Sequence, residues 1–246
     1  MKKAGLVFLS ACLVYLAAGC ASAGKAVAAQ KDLIALVSVV SNRDINWQGE
    51  DPINPNVIGP LARRALRAGE GLTIVSNTEE LINTAEKIFR DTMAEQGLIN
   101  LADKETVLGS QAYQGAKLNK YQLSQDQNQE KVKAAGYRYI DYRDTDFPAA
   151  LLAETGIQRC MFVEFNFTKV MASGFGKNGN FRAQMDMNVT IQDVEGKVIF
   201  RKIYPSITST DTIKVSSGVY SQSELINLFN SVISGGCGEF LNDLAD

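Results

Sequence analysis

Hydrophobic and polar positions repeat along this chain with two periods, one typical of strands and one typical of helices. A continuous apolar run over 33–40 predicts a central strand that is buried on both faces. Apolar residues alternate with mostly polar ones over 161–168 and again, most strictly, over 184–192. Both of these segments therefore predict strands with one apolar face and one mostly polar face.

A hairpin is predicted after the second alternating strand. The segment 193–197 carries Gly196 where a turn needs a positive φ, and an apolar-rich strand over 198–204 follows it. Pro205 lacks an amide hydrogen for a neighbouring strand, so we expect this strand to end there. The stretch 171–180 contains three glycines and is predicted as a flexible turn.

Helical periodicity marks two long segments. Ser76 and Glu79 have the spacing of a capping box before an apolar stripe, which predicts a helix that ends just before Gly97, its left-handed cap. Ser221 and Glu224 repeat this spacing before a second stripe that continues almost to the end of the chain. Both helices should bury one face against a sheet.

Shorter elements and one irregular segment complete the pattern. Helices are predicted over 103–114 and over 149–154, the second ending at Gly156. Between 41 and 75, prolines, glycines and asparagines interrupt every period, so we interpret this segment as an insertion or long loop. The fold class that follows is α+β: a single domain over 31–246 with a mixed sheet of about five strands and helices packed on it.

The amino terminus has the pattern of an exported protein. A short cationic start leads into a 13-residue apolar run over 6–18, too short to cross a bilayer that needs about 20 helical residues. The run ends in Leu16-Ala17-Ala18-Gly19-Cys20, which resembles the lipobox of bacterial lipoproteins. The resemblance implies that 1–19 is a signal peptide, that the Cys20 sulfur is acylated, and that 20–30 is a lipidated tether.

Other outcomes at the amino terminus stay open. An ordinary signal peptidase cutting after Ala21-Ser22-Ala23 would discard Cys20. With an acylated Cys20 the protein attaches to a membrane without crossing it. Ala21 is not the aspartate that retains lipoproteins on the inner membrane in enterobacteria, so the resemblance favours the outer membrane, with the domain in the periplasm or at the cell surface.

Composition narrows the chemistry that the domain can perform. The chain has no histidine, which excludes Ser-His-Asp and Cys-His nucleophiles and the common histidine-containing zinc sites. Its 25 basic and 27 acidic residues give a formal charge of -2, which provides no basic field for nucleic acid. We therefore expect no nucleic-acid partner, no metal, no cofactor and no enzymatic activity.

A few residues remain as candidate sites. Cys160 and Cys237 form a disulfide or, alternatively, two buried inert thiols, since both fall on apolar stripes. Asp141, Asp144 and Asp146 have alternating carboxylates that suit calcium or, without an EF-hand pattern, simply a solvated loop. Sequence alone leaves both pairs of alternatives open.

Four segments resemble the periplasmic domain shared by the curli-secretion lipoprotein family and the amino-terminal domain of TolB: 33–40, 81–93, 160–169 and 193–199. The resemblance implies the same α+β fold. Members of the curli group assemble into rings whose hairpins form an outer-membrane pore. The stretch 171–180 is too short for such a hairpin, because each strand needs about 9–11 residues. We therefore expect the fold of this group without its pore.

Three hypotheses of function follow. The first is a membrane-anchored, non-enzymatic envelope lipoprotein that binds another envelope component as an assembly or secretion accessory, with an envelope protein or a second copy as partner. The second is a carrier of a small apolar ligand or lipid, suggested by Phe165, Phe167, Met185 and Met187, which are equally typical of a core. The third is an enzyme that uses carboxylates alone.

Overall fold

The structure, a computed structural model, describes residue 27 and the ranges 32–48, 72–73, 78–119, 131–175 and 178–245. The predicted signal peptide 1–19, Cys20, the rest of the 20–30 tether and most of the 41–75 insertion lie outside these residues. Within them the chain forms a main mixed sheet with helices on both faces and a second sheet of two short strands, 72–73 and 220–221. The predicted α+β class with a mixed sheet is confirmed.

Strands and helices alternate irregularly along the described residues. The strands are β1 (Leu33–Asn42), β2 (Asn46–Trp47), β3 (Leu72–Thr73), β4 (Asn100–Leu101), β5 (Lys131–Lys133), β6 (Arg159–Phe175), β7 (Asn178–Gln192), β8 (Val198–Thr208), β9 (Ile213–Val215) and β10 (Tyr220–Ser221). The helices are α1 (Glu79–Gln96), α2 (Lys104–Gly109), α3 (Gln111–Gly115), α4 (Asp146–Thr155) and α5 (Gln222–Ala245).

The main sheet has the strand order β4-β1-β6-β7-β8. β1 is parallel to both β4 and β6, whereas β6, β7 and β8 form an antiparallel meander. β2, β5 and β9 pair with β6, β1 and β7 outside this path, so the sheet has eight strands in the described part instead of about five. The extra strands are two or three residues long, too short for a periodic signal in the sequence.

Alternation along β6 and β7 divides the sheet into an apolar face and a second face. The apolar residues at the odd positions of 161–167 and 185–191 are fully buried: Met161, Val163, Phe165, Phe167, Met185, Met187, Val189 and Ile191. They meet α1 and α5, whose apolar stripes belong to the same cluster. The period-two prediction is thereby confirmed, and this first face holds most of the hydrophobic core.

The predicted flexible turn over 171–180 is wrong. β6 continues to Phe175 and β7 starts at Asn178, so the two strands form one long hairpin in which Gly174 pairs with Gly179. Cross-strand hydrogen bonds outweigh the weak strand preference of glycine here. Phe175, near the tip of the hairpin, has 91% of its surface exposed.

The prediction that Pro205 ends its strand is also wrong. β8 passes through Pro205 because this residue and Ser206 stand together in a bulge opposite Asp186. Ser206 has a φ of 57° and donates its amide hydrogen to Asp186 Oδ1 at 2.7 Å. Proline is tolerated in strands at bulges and edges, since no ladder hydrogen bond is lost there.

The carboxyl ends of the helices follow the predictions better than their starts. Glu79 is the first residue of α1 and Thr78 its N-cap, so the predicted capping box with Ser76 is wrong, and α4 begins at Asp146 instead of 149. α1 ends before Gly97, whose φ of 61° confirms the left-handed cap, and α4 ends before Gly156 in the same way. The predicted helix over 103–114 is broken at Ser110, which caps α3 with its side chain. At the start of α5, Ser221 Oγ accepts the Glu224 amide hydrogen at 3.3 Å, as a capping box requires.

Residues assigned to the insertion and to the tether contribute to the first face. β2, within 41–75, pairs with β6, and its Trp47 packs edge-on against Phe181 with ring centroids 5.1 Å apart. Lys169 is buried beside them and donates to the Tyr220 hydroxyl at 3.0 Å. Val27, in the predicted tether, belongs to the same cluster. The insertion is thus ordered at least over 41–48.

The turn at 193–197 packs tightly against the start of α4. Gly196 has a φ of 73°, as predicted, and a Cβ there would lie 2.6 Å from Thr145 Cα. Gly156 has a nearly identical φ of 75°, but a Cβ there would have no heavy atom within 4 Å. The two glycines therefore share a backbone conformation and differ in their surroundings.

Gly196→Ala should lower the free energy of unfolding more than Gly156→Ala does. Each substitution places a side chain in the left-handed region, at a cost of about 1–2 kcal/mol. Only the first also drives a methyl group into backbone atoms, which adds roughly 1–3 kcal/mol. Urea unfolding of both variants measures the difference. Equal losses would show that the turn does not contact Thr145 as described.

Candidate functional site

The second face of the main sheet carries a cleft that the helices leave open. α2, α3 and α4 cover this face only near the start of β6, where Cys160 and Phe162 join their cluster. Beyond Phe162 the face is mostly polar. The cleft there has a volume of about 70 Å³ and is lined by β1, β6, β7, β8 and the segment 139–142.

Strand register arranges the floor of the cleft in two rows. The first row crosses four paired strands: Ser38, Phe162, Thr190 and Arg201. The second row lies one pleat further along: Val40, Glu164 and Asn188. Directly paired residues project from the same face of a sheet, so all seven side chains are directed to the cleft, which they line.

A β-bulge in β1 turns Ser38 toward this cleft. Leu36 pairs with Met161 and Ser38 pairs with Phe162, so Val37 is an extra residue in β1. Consecutive residues of a regular strand point to opposite faces, yet Val37 and Ser38 both lie on the second face. Without the bulge, Ser38 would point into the apolar core of the first face.

The segment 139–142 forms one wall and is fixed at both ends. Ile140 is buried in the cluster below α2–α4 and makes a β-bridge with Leu118. At the other end, Gln192 donates from Nε2 to the Tyr142 carbonyl oxygen. A wall held in this way keeps the cleft open without a ligand.

Charges in the cleft leave one cation without a carboxylate partner. Glu164 is paired with Lys131, whose Nζ lies 2.6 Å from Oε1. The Arg201 guanidinium lies 5.2 Å above the Tyr142 ring and forms no ion pair with the described residues. A guanidinium over an aromatic face is stabilised, but its hydrogen-bond donors remain available.

Two buried polar atoms of the cleft have no hydrogen-bond partner in the described part of the chain: Ser38 Oγ and Asn188 Oδ1. Ser38 is only 2% exposed. Buried polar groups are nearly always paired, and an unpaired one costs about 1–3 kcal/mol. The arrangement can therefore bind a polar molecule through hydrogen bonds and one positive charge.

Another buried group of charges is fully paired and has a structural role. Glu86 accepts from Arg90 Nε at 2.7 Å and from the Tyr137 hydroxyl at 3.0 Å, and Lys104 Nζ lies 3.4 Å from its other oxygen. Burial raises the pKa of Tyr137, so its hydroxyl stays a donor. This network ties α1 to the segments that follow it.

The three aspartates considered for calcium interact with backbone amides and with neighbouring cationic side chains. Asp144 is buried, contrary to a solvated loop, and accepts from Lys117 N at 3.0 Å and Nζ at 3.1 Å. Asp146 lies 3.6 Å from the same ammonium, and Asp141 accepts from Arg143. Among the described residues, no three side chains of metal-ligating type come together.

Cys160 and Cys237 do not form the disulfide that the sequence left open. Both are free and buried, and they belong to clusters on opposite faces of the sheet. Burial raises the pKa of each thiol to about 12, which makes both unreactive at neutral pH. Cys160 and Cys237 are therefore two separate buried thiols, which is the alternative to the disulfide.

Sequence reasoning missed the residues that define the cleft. Ser38 is the only polar residue of the apolar run 33–40, and this isolated hydroxyl is the signal that could have identified it. Asn188 is one of several polar residues in a regular alternation, and Arg201 lies within a predicted strand. Neither Asn188 nor Arg201 interrupts the pattern of hydrophobic and polar residues around it, so that pattern does not single them out. Glu164, on the mostly polar face of the strand predicted over 161–168, lines the cleft.

Comparisons with known proteins give little further information. Neither the protein-family models nor the curated proteins give a match. Among solved structures, the chain is similar to the LpoB C-terminal domain from Salmonella enterica, with 11% identity over 71% of this chain and 81% of that chain. The TM-score is 0.28, so we infer neither fold nor function from this similarity. Within the described part, no helix has the length and apolar character needed to span a membrane.

Ser38→Ala should raise the free energy of unfolding by about 1 kcal/mol, because it removes a buried hydroxyl that lacks a partner. Ser41→Ala is the matched control on the same strand. Ser41 is fully buried and its Oγ donates to Thr78 Oγ1 at 2.8 Å, so its loss should cost about 1 kcal/mol. Urea unfolding of the ligand-free variants measures both. Destabilisation by Ser38→Ala as large as that by Ser41→Ala would contradict an unpaired Ser38.

Proposed function

We propose that this protein is a lipid-anchored bacterial envelope protein that acts by binding another envelope component and not by catalysis. The observation that carries the binding role is the cleft, where Ser38 Oγ and Asn188 Oδ1 are buried with no partner among the described residues. A partner that completes these hydrogen bonds removes the cost of burying them. The domain is then the recognition element and the amino terminus its anchor.

The anchor part of the proposal is supported by the lipobox-like sequence that ends in Cys20. Each buried acyl methylene contributes about 0.8 kcal/mol, and two or more chains hold a folded domain stably at a membrane. Removal of 1–19 would leave Cys20 as the first residue. We place the protein at the outer membrane, with the domain in the periplasm or at the cell surface.

The surface around the cleft supports a protein as partner. The polar part of the second face continues past the cleft along β6 and β7: Asn166, Thr168, Gln184 and Asp186. Beside it Ile203, paired with Asn188, has 56% of its surface exposed. A non-obligate protein interface is about as apolar as the rest of a protein surface, so a polar face with an exposed apolar residue beside it is compatible with one. A second copy of this chain is included among such partners.

The described residues do not support the alternative of an apolar-ligand carrier. The side chains that suggested it, Phe165, Phe167, Met185 and Met187, are fully buried. Phe167 packs edge-on against Phe229 of α5 with ring centroids 5.1 Å apart. The cleft lining also supports binding over carboxylate catalysis, because Glu164 is its one acidic residue.

Cys20→Ala should abolish acylation and release the protein from the membrane fraction. The reason is that the proposed thioether forms on this sulfur alone. Mass spectrometry of the mature wild-type protein should find an acylated amino-terminal cysteine, and Cys12→Ala is the control, since it lies in the segment that is removed. An unmodified Cys20 thiol, or cleavage at another site, would refute the anchor.

A photo-reactive residue at position 203 should cross-link to an envelope protein in intact cells. We expect a discrete adduct when p-benzoylphenylalanine replaces Ile203, and none when it replaces Glu95, an exposed residue of α1 on the other side of the sheet. Gel analysis followed by mass spectrometry identifies the adduct. Equal adducts at both positions, or none at either, would count against the second face as the binding surface.

A further inference from the structure

The unpaired groups of the cleft match the end of a peptide chain. The last peptide bond of a chain presents one N–H donor and one carbonyl acceptor, and the terminal carboxylate presents two more acceptor oxygens. The lining of the cleft contains Asn188 Oδ1 as an acceptor and Ser38 Oγ as a donor, both buried, and Arg201 as an exposed cation. We propose that the cleft binds the free carboxyl terminus of a partner polypeptide.

Each contact follows from the chemistry of the groups. The carboxylate lies against Arg201, whose planar guanidinium matches a carboxylate in a two-point contact. The amide hydrogen of the last residue is donated to Asn188 Oδ1, and Ser38 Oγ donates to the carbonyl of the residue before it. Ser38 and Asn188 stand on the strands to either side of β6, so a chain end that contacts both crosses β6.

Charge favours a carboxylate over a phosphate. Lys131 is paired with Glu164, which leaves Arg201 as the cation of the cleft without a carboxylate partner among the described residues. One uncompensated positive charge balances a monoanion. A phosphate dianion would leave a second negative charge close to Glu164, where repulsion is unfavourable.

Size limits what enters the cleft to a small group. Its volume of about 70 Å³ is roughly half of the 150 Å³ of an engineered cavity that holds benzene. The remaining lining is apolar or aromatic and includes Val40, Phe162 and Tyr139. The last residue of the partner should therefore have a small apolar side chain.

The inference rests on the proposed function in that the ligand belongs to a protein partner. Its direct test does not require that partner. Saturation-transfer difference NMR is recorded on the mature acylated protein in detergent micelles, with acetyl-Ala-Ala-Ala as the probe. The same peptide with an amidated carboxyl end is the control ligand, and sodium acetate is the competitor.

We expect methyl signals from the free-acid peptide that are at least about fivefold stronger than those from the amide, because only the former pairs with Arg201. Arg201→Gln should remove this difference. Arg182→Gln, which changes an exposed arginine of β7 outside the cleft lining, should retain it. Ser38→Ala should weaken the free-acid signal while leaving the protein folded. Acetate at equal concentration should compete poorly, since it lacks the peptide bond.

Several results would overturn the inference. Equal signals from both peptides, or an unchanged difference in Arg201→Gln, would exclude carboxylate recognition. Full competition by equimolar acetate would make this a site for small free acids. No signal from either peptide at 10-fold excess over the protein would mean that the cleft holds only water. Each of these results can occur while the adduct at position 203 persists. In that case the proposed binding of a protein partner stands, but the partner does not bind through its carboxyl terminus.

Discussion

The antiparallel register between β6 and β7 is the constraint on which the rest of the structure depends. It runs from Cys160 opposite Gln192 to Phe175 opposite Asn178. Because the side-chain period of a strand is two, a slip of one residue would move every methionine and phenylalanine of this hairpin to the other face. The register therefore determines where α1 and α5 pack and which polar groups face outward.

One local departure from this regularity produces the candidate site. The bulge at Val37 shifts the phase of β1 by one residue relative to β6. Before it, Ala35 and Val37 pack below the short helices, and after it Ser38 and Val40 face the cleft. Bulges commonly re-aim a side chain beside a functional site, and here the re-aimed side chain is a buried hydroxyl.

Several charged groups outside the cleft are paired with neighbouring polar atoms. Glu86 is paired on both oxygens, and Asp144 is bound by both nitrogens of Lys117. Three other buried polar atoms of the described residues also lack a partner: Arg159 Nη1, Gln192 Oε1 and Asn230 Oδ1. Ser38 Oγ and Asn188 Oδ1 differ from these three because both of their residues line one cleft. Retaining groups that lower stability is characteristic of binding surfaces, which are complete only with their partner.

The sequence by itself determined the α+β class, the faces of the long strands, and helix ends such as Gly97, because these depend on local periodicity and backbone preference. It also contains the lipobox-like segment that ends in Cys20. Only the tertiary structure decided that 171–180 continues as strand, that Cys160 and Cys237 lie on opposite faces, and that Ser38, Asn188 and Arg201 share one cleft. These three residues come from three strands, and their meeting depends on strand order and on a bulge, which are non-local pairings that no short sequence pattern records.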